Sequence, residues 1–125
     1  MGDISVSDED IEATDDCESL KNFWKALIAG DVAQATEIYR DDAVLRVPQT
    51  GEKIVGRSAI ASRGVLEAGE KPVSVNSITG ADNVWVAECE ARWHRKKILI
   101  VSVAEMDDGQ IVAETRYRVP NESTR

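Results

Sequence analysis

The feature that most constrains the fold is the second half of the chain, where four runs of alternating side chains follow one another: Val73 to Thr79, Val84 to Trp93, Ile98 to Met106 and Ile111 to Arg118. A period of two predicts strands. The separators Gly80-Ala81-Asp82, Arg95-Lys96 and Asp107-Asp108-Gly109 are short and of turn composition, which makes successive strands antiparallel neighbours. Between Val84 and Trp93 one face presents Trp85, Ala87, Cys89, Ala91 and Trp93, and the other Val84, Val86, Glu88, Glu90 and Arg92. The first face is apolar with small members, as a cavity wall would be. Ile98 to Met106 is largely apolar on both faces, with Ile98, Ile100, Ser102 and Ala104 opposite Leu99, Val101, Val103 and Glu105. A sheet apolar on both sides needs cover on both. A second copy of the chain is the expected cover of the outer face, giving a homodimer.

The first half supplies cover for the inner face. Leu20, Phe23, Trp24, Leu27 and Ile28 form the stripe of an amphipathic helix with a start at Asp15 to Glu18 and a stop at Gly30. Asp31 with Gln34 forms a capping box for a second helix whose buried face is Val32, Ala35, Ile38 and Tyr39. Ala43 to Val47 and Lys53 to Val55 read as short strands around the turn Pro48-Gln49-Thr50-Gly51, and a third helix is expected over Ser58 to Ala68, weakened by Gly64. The expected class is therefore α+β in one domain over residues 15–119, with an acidic flexible tail over 1–14 and a short C-terminal tail over 120–125.

Charge and cysteines exclude several functions. Eight acidic residues up to Glu18 precede the first basic one, Lys21, and the remaining fifteen balance fifteen Lys and Arg, so the net charge of −8 resides in the N-terminal stretch. A neutral folded part argues against nucleic-acid binding. No apolar run predicts a membrane span or a signal peptide, which makes the cytoplasm the expected location. Cys17 and Cys89 stand far apart without a CxxC or paired-histidine pattern, so neither a zinc site nor any other metal is expected. An apolar setting for Cys89 and an acidic one for Cys17 disfavour both as nucleophiles. His94, beside the basic run Arg95-Lys96-Lys97, has no second histidine or nucleophile to work with and reads as a solvated hairpin end.

The order of elements, with Trp24-Lys25-Ala26-Leu27-Ile28-Ala29-Gly30-Asp31, Tyr39-Arg40-Asp41-Asp42-Ala43, Gly51-Glu52 and Gly56-Arg57-Ser58-Ala59-Ile60, followed by Val101-Ser102-Val103 and Gly109-Gln110-Ile111-Val112-Ala113-Glu114-Thr115, resembles the nuclear-transport-factor-2-like superfamily, its SnoaL-like branch above all. The resemblance spans nearly all of Leu20 to Tyr117. It implies a cone: a curved mixed or antiparallel sheet wrapped over three N-terminal helices around a pocket, in homodimers and without cofactor. It leaves activity open, since one such scaffold hosts isomerases, dehydratases, cyclases and binding modules. Members that resemble ketosteroid isomerase carry a Tyr donor, an Asp base and a protonated Asp donor, and these places fall on Phe23, Val47 and Ser102. Val47 cannot take a proton, which argues against that mechanism.

The resemblance also turns inward Trp85, Ala87, Cys89 and Ala91, then Ile100, Ser102 and Ala104, then Val112, Glu114, Arg116 and Arg118. The candidate ligand-binding residues are Trp24, Tyr39, Val47, Arg63, Trp85, Cys89, Ile100, Ser102, Glu114 and Arg116. Glu114 and Arg116 are two apart on one strand face and are expected at the pocket mouth with Arg63 as neighbour, as ligand contacts, as an acid-base pair through Glu114, or as a structural ion pair. Tyr39 offers its hydroxyl to the cavity or to backbone near Asp42. The leading expectation is a binding domain for a small apolar or aromatic molecule. The alternatives are a non-catalytic interaction or accessory dimer whose pocket is filled by Trp24, Trp85 and Arg116, and a cofactor-free isomerase, dehydratase or hydrolase using Glu114.

Overall fold

The computed structural model describes residues 11–121, with side chains from Asp15 onward; the expected tail residues 1–10 and 122–125 lie outside the described residues. The elements are α1 (Ile11–Ala29), α2 (Val32–Thr36), β1 (Tyr39–Val47), β2 (Glu52–Val55), α3 (Arg57–Arg63), β3 (Glu70–Ala81), β4 (Val84–Trp93), β5 (Lys96–Asp107) and β6 (Gln110–Pro120). They form an α+β fold with one six-stranded sheet in the order β2-β1-β6-β5-β4-β3. Only β1 and β6 pair in parallel; every other pair is antiparallel. Irregular pairing within β3 and beside Glu105 bends the strands, as bulges do, and the curved inner face receives the helices.

Helix α1 docks by its expected stripe: Leu20, Phe23, Trp24 and Leu27 are buried and Ile28 is half-buried. It is already helical at Ile11, so Asp15 to Glu18 do not cap its start. Asp16 is instead buried and accepts a bond from the Gly109 N–H at 2.9 Å, which ties the helix to the β5–β6 turn. Gly30 ends α1 through Gly30 N to Leu27 O (3.1 Å) and Asp31 N to Ala26 O (2.8 Å), the paired bonds of a Schellman end. Asp31 then caps α2 by accepting from Gln34 N at 3.2 Å.

Three further expectations fail. Helix α2 stops at Thr36, and Tyr39 lies on β1 rather than on a helix face. The cause is non-local: Ile111 N donates to Ile38 O at 2.9 Å and Tyr39 pairs with Ile111, so the parallel ladder draws the chain out of the helix. Helix α3 ends at Arg63, not Ala68, because Gly64 takes a φ of 96° and the chain leaves as an irregular segment over 64–69. Finally, Val112 does not share the inward face of Glu114. Pairing steps from Glu105–Ala113 to Met106–Ile111, leaving Val112 as the extra residue and sending Ile111 into the core in its place.

Strand β4 spans Val84 to Trp93, and Trp85, Ala87, Cys89 and Ala91 are buried on its inner face. Opposite them, Ile98, Ile100, Ser102, Ala104 and Met106 of β5 are buried, while Leu99, Val101 and Val103 on the outer face are half-buried. Among the described residues no helix is long and apolar enough to cross a membrane.

Candidate functional site

Strand register places the polar residues of the inner face in rows. Trp85 pairs with Ala104, Ala104 with Glu114 and Glu114 with Leu45; in the next row Ala87 pairs with Ser102 and Ser102 with Arg116. Small side chains at Ala87, Ser102 and Ala104 therefore separate Trp85 from the Glu114–Arg116 pair. Tyr39 comes from β1 and Trp24 from α1 above.

Three of the candidate residues converge on the carboxylate of a fourth, Glu114. Tyr39 donates its hydroxyl to Glu114 Oε1 at 2.5 Å, Ser102 donates to Oε2 at 2.7 Å, and Arg116 reaches Oε2 with Nε at 2.9 Å and Nη2 at 2.8 Å. The remaining donors of Arg116 reach the Val65 carbonyl and, at 3.2 Å, the Tyr39 oxygen, and its guanidinium lies 5.7 Å from the centre of the Trp24 ring. Glu114 is 0 % exposed and Arg116 4 %. The expected position at the mouth is thus wrong: the pair sits under Val65 and Trp24. Burial, and after it the Glu114 charge, raises the Tyr39 phenol well above 10.0, so Tyr39 stays a proton donor. Burial works against the charge on Arg116, but Glu114 and Tyr39 outweigh it and raise its pKa. Both oxygens of this carboxylate are taken by side chains of the same chain, which leaves neither turned toward a substrate. The cluster is a fixed polar ridge.

Arg63 belongs to a second group, at the wide end. Its guanidinium grips Glu52 at 2.6 and 3.1 Å and also meets Glu67. Arg118 binds Glu70 at 2.9 Å and Glu67 at 3.1 Å, with its guanidinium 4.5 Å over the Trp93 ring. The hydrogen bond with Arg63 is the main cause that lowers the Glu52 pKa. Glu52, Glu67 and Glu70 were not singled out by sequence reasoning. Their signal is faint: three carboxylates near glycines, outside any apolar period, whose partners lie on β6 and α3.

The other candidates line the same core without polar roles. Val47, Cys89 and Ile100 are buried, and burial pushes the Cys89 thiol up to about 11. Trp85 is 7 % exposed and covers Gly80, where a side chain would strike the Trp85 ring. Among the described residues neither Trp24 Nε1 nor Trp85 Nε1, both buried, has a hydrogen-bond partner, and no three potential ligands converge for a metal ion. Two cavities bounded by described residues lie elsewhere: one of about 60 Å³ beside Val73, Ala91 and Ile98, and an open groove between Thr36, Asp41 and Arg57. Neither touches a candidate residue.

A solved NTF-2 like protein of unknown function from Burkholderia xenovorans LB400 is 31% identical, with 92% of this chain and 91% of that one covered and a TM-score of 0.79. The chain belongs to the nuclear-transport-factor-2-like superfamily. Other nuclear-transport-factor-2-like structures agree in fold alone. A ketosteroid isomerase candidate from Kribbella flavida is 14% identical over 90% of this chain and 83% of that one, with a TM-score of 0.77. A polyketide cyclase candidate from Xanthomonas campestris is 19% identical over 83% and 90%, with a TM-score of 0.68. No family model matches the sequence, and no curated protein does. Within this superfamily cone, Phe23, Val47 and Ser102 are all buried, and only Ser102 of the three carries a polar side chain, already bonded to Glu114.

Proposed function

We propose that the domain is a container for a small, flat molecule that carries hydrogen-bond acceptors and lies in the cone between Trp24 and Trp85, against the ridge of Tyr39, Ser102, Glu114 and Arg116. One observation carries this reading: two buried indole N–H groups in a single apolar cluster have no acceptor among the described residues. A buried donor without a partner costs about 1–3 kcal/mol. An occupant with acceptors would remove that cost, and the small residues Ala87, Ser102 and Ala104 leave the wall low between the two rings. The saturated Glu114 supports binding rather than acid-base catalysis.

The second reading, a non-catalytic accessory module whose cone is filled by Trp24, Trp85 and Arg116, is favoured by the same saturation, because every polar group of the ridge already has partners within the chain. A thermal-shift screen of small aromatic compounds with carbonyl or carboxylate acceptors separates the two. A ligand that binds the folded state raises the melting temperature in proportion to its concentration over Kd, and Trp24→Phe or Trp85→Phe should weaken such a binder by roughly 3- to 10-fold, the worth of one hydrogen bond. A screen without a single stabilising compound favours the filled module.

The homodimer is part of this proposal. Exposed Val84, Tyr117 and Val119 and half-buried Leu99, Val101 and Val103 give the outer face an apolar patch. Light scattering should give twice the chain mass; a monomer at micromolar concentration would remove the dimer.

A further inference from the structure

The segment over residues 64–69 is held at both ends by glycines with backbone angles that other residues rarely adopt, φ 96° at Gly64 and 81° at Gly69. Between them the chain has no regular hydrogen-bonded structure, and side chains of the cone hold it down. Arg116 bonds the Val65 carbonyl from inside, Trp93 Nε1 bonds the Ala68 carbonyl at 3.2 Å, and Glu67 bridges Arg63 and Arg118. Val65 itself is fully buried over the Glu114–Arg116 pair. The segment is a strap across the wide end.

We propose that this strap is hinged at Gly64 and Gly69, and that the Glu67 carboxylate occupies, between Arg63 and Arg118, the place taken by the carboxylate of a small aromatic acid when the strap opens. The inference rests on the container reading and adds the ligand's charged group. Three observations single out Glu67. One of its oxygens meets two guanidiniums at once, as a ligand carboxylate would. It is the only carboxylate of the group on the strap, and its side chain is 27 % exposed against 1 % for Glu70, so it can swing into water. After it leaves, Glu52 still pairs with Arg63 and Glu70 with Arg118, so neither arginine is left alone, the group of charges is neutral, and the guanidinium donors that held Glu67 are free to take one incoming carboxylate. Opening the strap also frees one Arg116 donor and uncovers the ridge, which links the anion place to the apolar interior behind it.

The experiment compares the wild-type chain with Glu67→Gln, using naphthalene-2-carboxylate and its uncharged carboxamide as probes in calorimetric titrations. Amide hydrogen exchange of residues 64–69 is followed without any probe. Glu67→Gln should bind the carboxylate at least ten-fold more tightly than wild type and the carboxamide with little change, and its strap should exchange faster while β4 and β5 exchange as before. Adding Arg63→Met should cancel the gain. An equal gain for both probes, or faster exchange throughout the domain, overturns the strap proposal and leaves the container standing. Binding of neither probe by either protein overturns the strap proposal, and the thermal-shift screen then decides the container reading by itself.

Discussion

The Tyr39 hydroxyl and the Glu114 carboxylate, 75 positions apart in the sequence, meet at 2.5 Å in the core of the cone. Tyr39 stands at the start of β1 and Glu114 on β6, the one parallel pair in the sheet, so this contact exists only when the ends of the domain have closed on each other. It fixes a charged group in the core by satisfying it rather than by exposing it.

Breaking the ridge from one side should be costly. Glu114→Gln leaves Arg116 buried with no counter-charge, which predicts a loss of about 3–5 kcal/mol in urea unfolding. The double change Glu114→Leu with Arg116→Met removes both charges and should cost less than Glu114→Gln alone. A double variant at least as unstable as Glu114→Gln would show that the charges are not coupled as described.

Alkaline stability follows from Tyr39. Its folded pKa is raised by burial first and by Glu114 second, whereas an unfolded phenol ionises near about 10. Between the two values the folded state holds a proton that the unfolded state has lost, so the contribution is complete below about 10 and stability falls as pH rises above it. In a Tyr117→Phe protein Tyr39 is the sole tyrosine. Phenolate absorbance should then appear only together with loss of the folded circular dichroism signal. Phenolate in a chain that is still folded just above that pH would contradict the burial of Tyr39.

Gly80 has no room for a side chain. A Cβ there would lie 2.5 Å from the Val84 carbonyl and 2.6 Å from the Trp85 ring. Gly80→Ala should therefore cost about 1–3 kcal/mol through forced displacement and shift the Trp85 fluorescence. Unchanged emission with unchanged stability would mean that Trp85 is not fixed against β3.

Much of this architecture is legible in side-chain periods. The stripe Leu20, Phe23, Trp24 and Leu27 locates α1, alternation locates β4 from Val84 to Trp93, and Asp31 announces α2 through its own cap. What escapes sequence reading depends on partners far along the chain. Tyr39 fits a helical period but is claimed by pairing with Ile111, and Val112 fits the strand alternation but is displaced by a bulge. Glu114 and Arg116 read correctly as inward and wrongly as lying at the pocket mouth, because the segment that covers them runs from Gly64 to Gly69 and carries no period at all. Val47, where the resemblance sets the isomerase base, shows in the sequence itself that it has no group to take a proton, while the partners of Ser102 and Tyr39 emerge only from the closed cone.

The central claim is that the cone receives a molecule whose acceptors meet Trp24 and Trp85, and the indole N–H signals of a proton–nitrogen correlation spectrum test it most directly. The chain has three tryptophans, so the signals are assigned with Trp24→Phe and Trp85→Phe. Titrating in the compound that raises the melting temperature most, the account predicts saturable downfield shifts of both signals as new hydrogen bonds form. Both signals unmoved at saturation would contradict it.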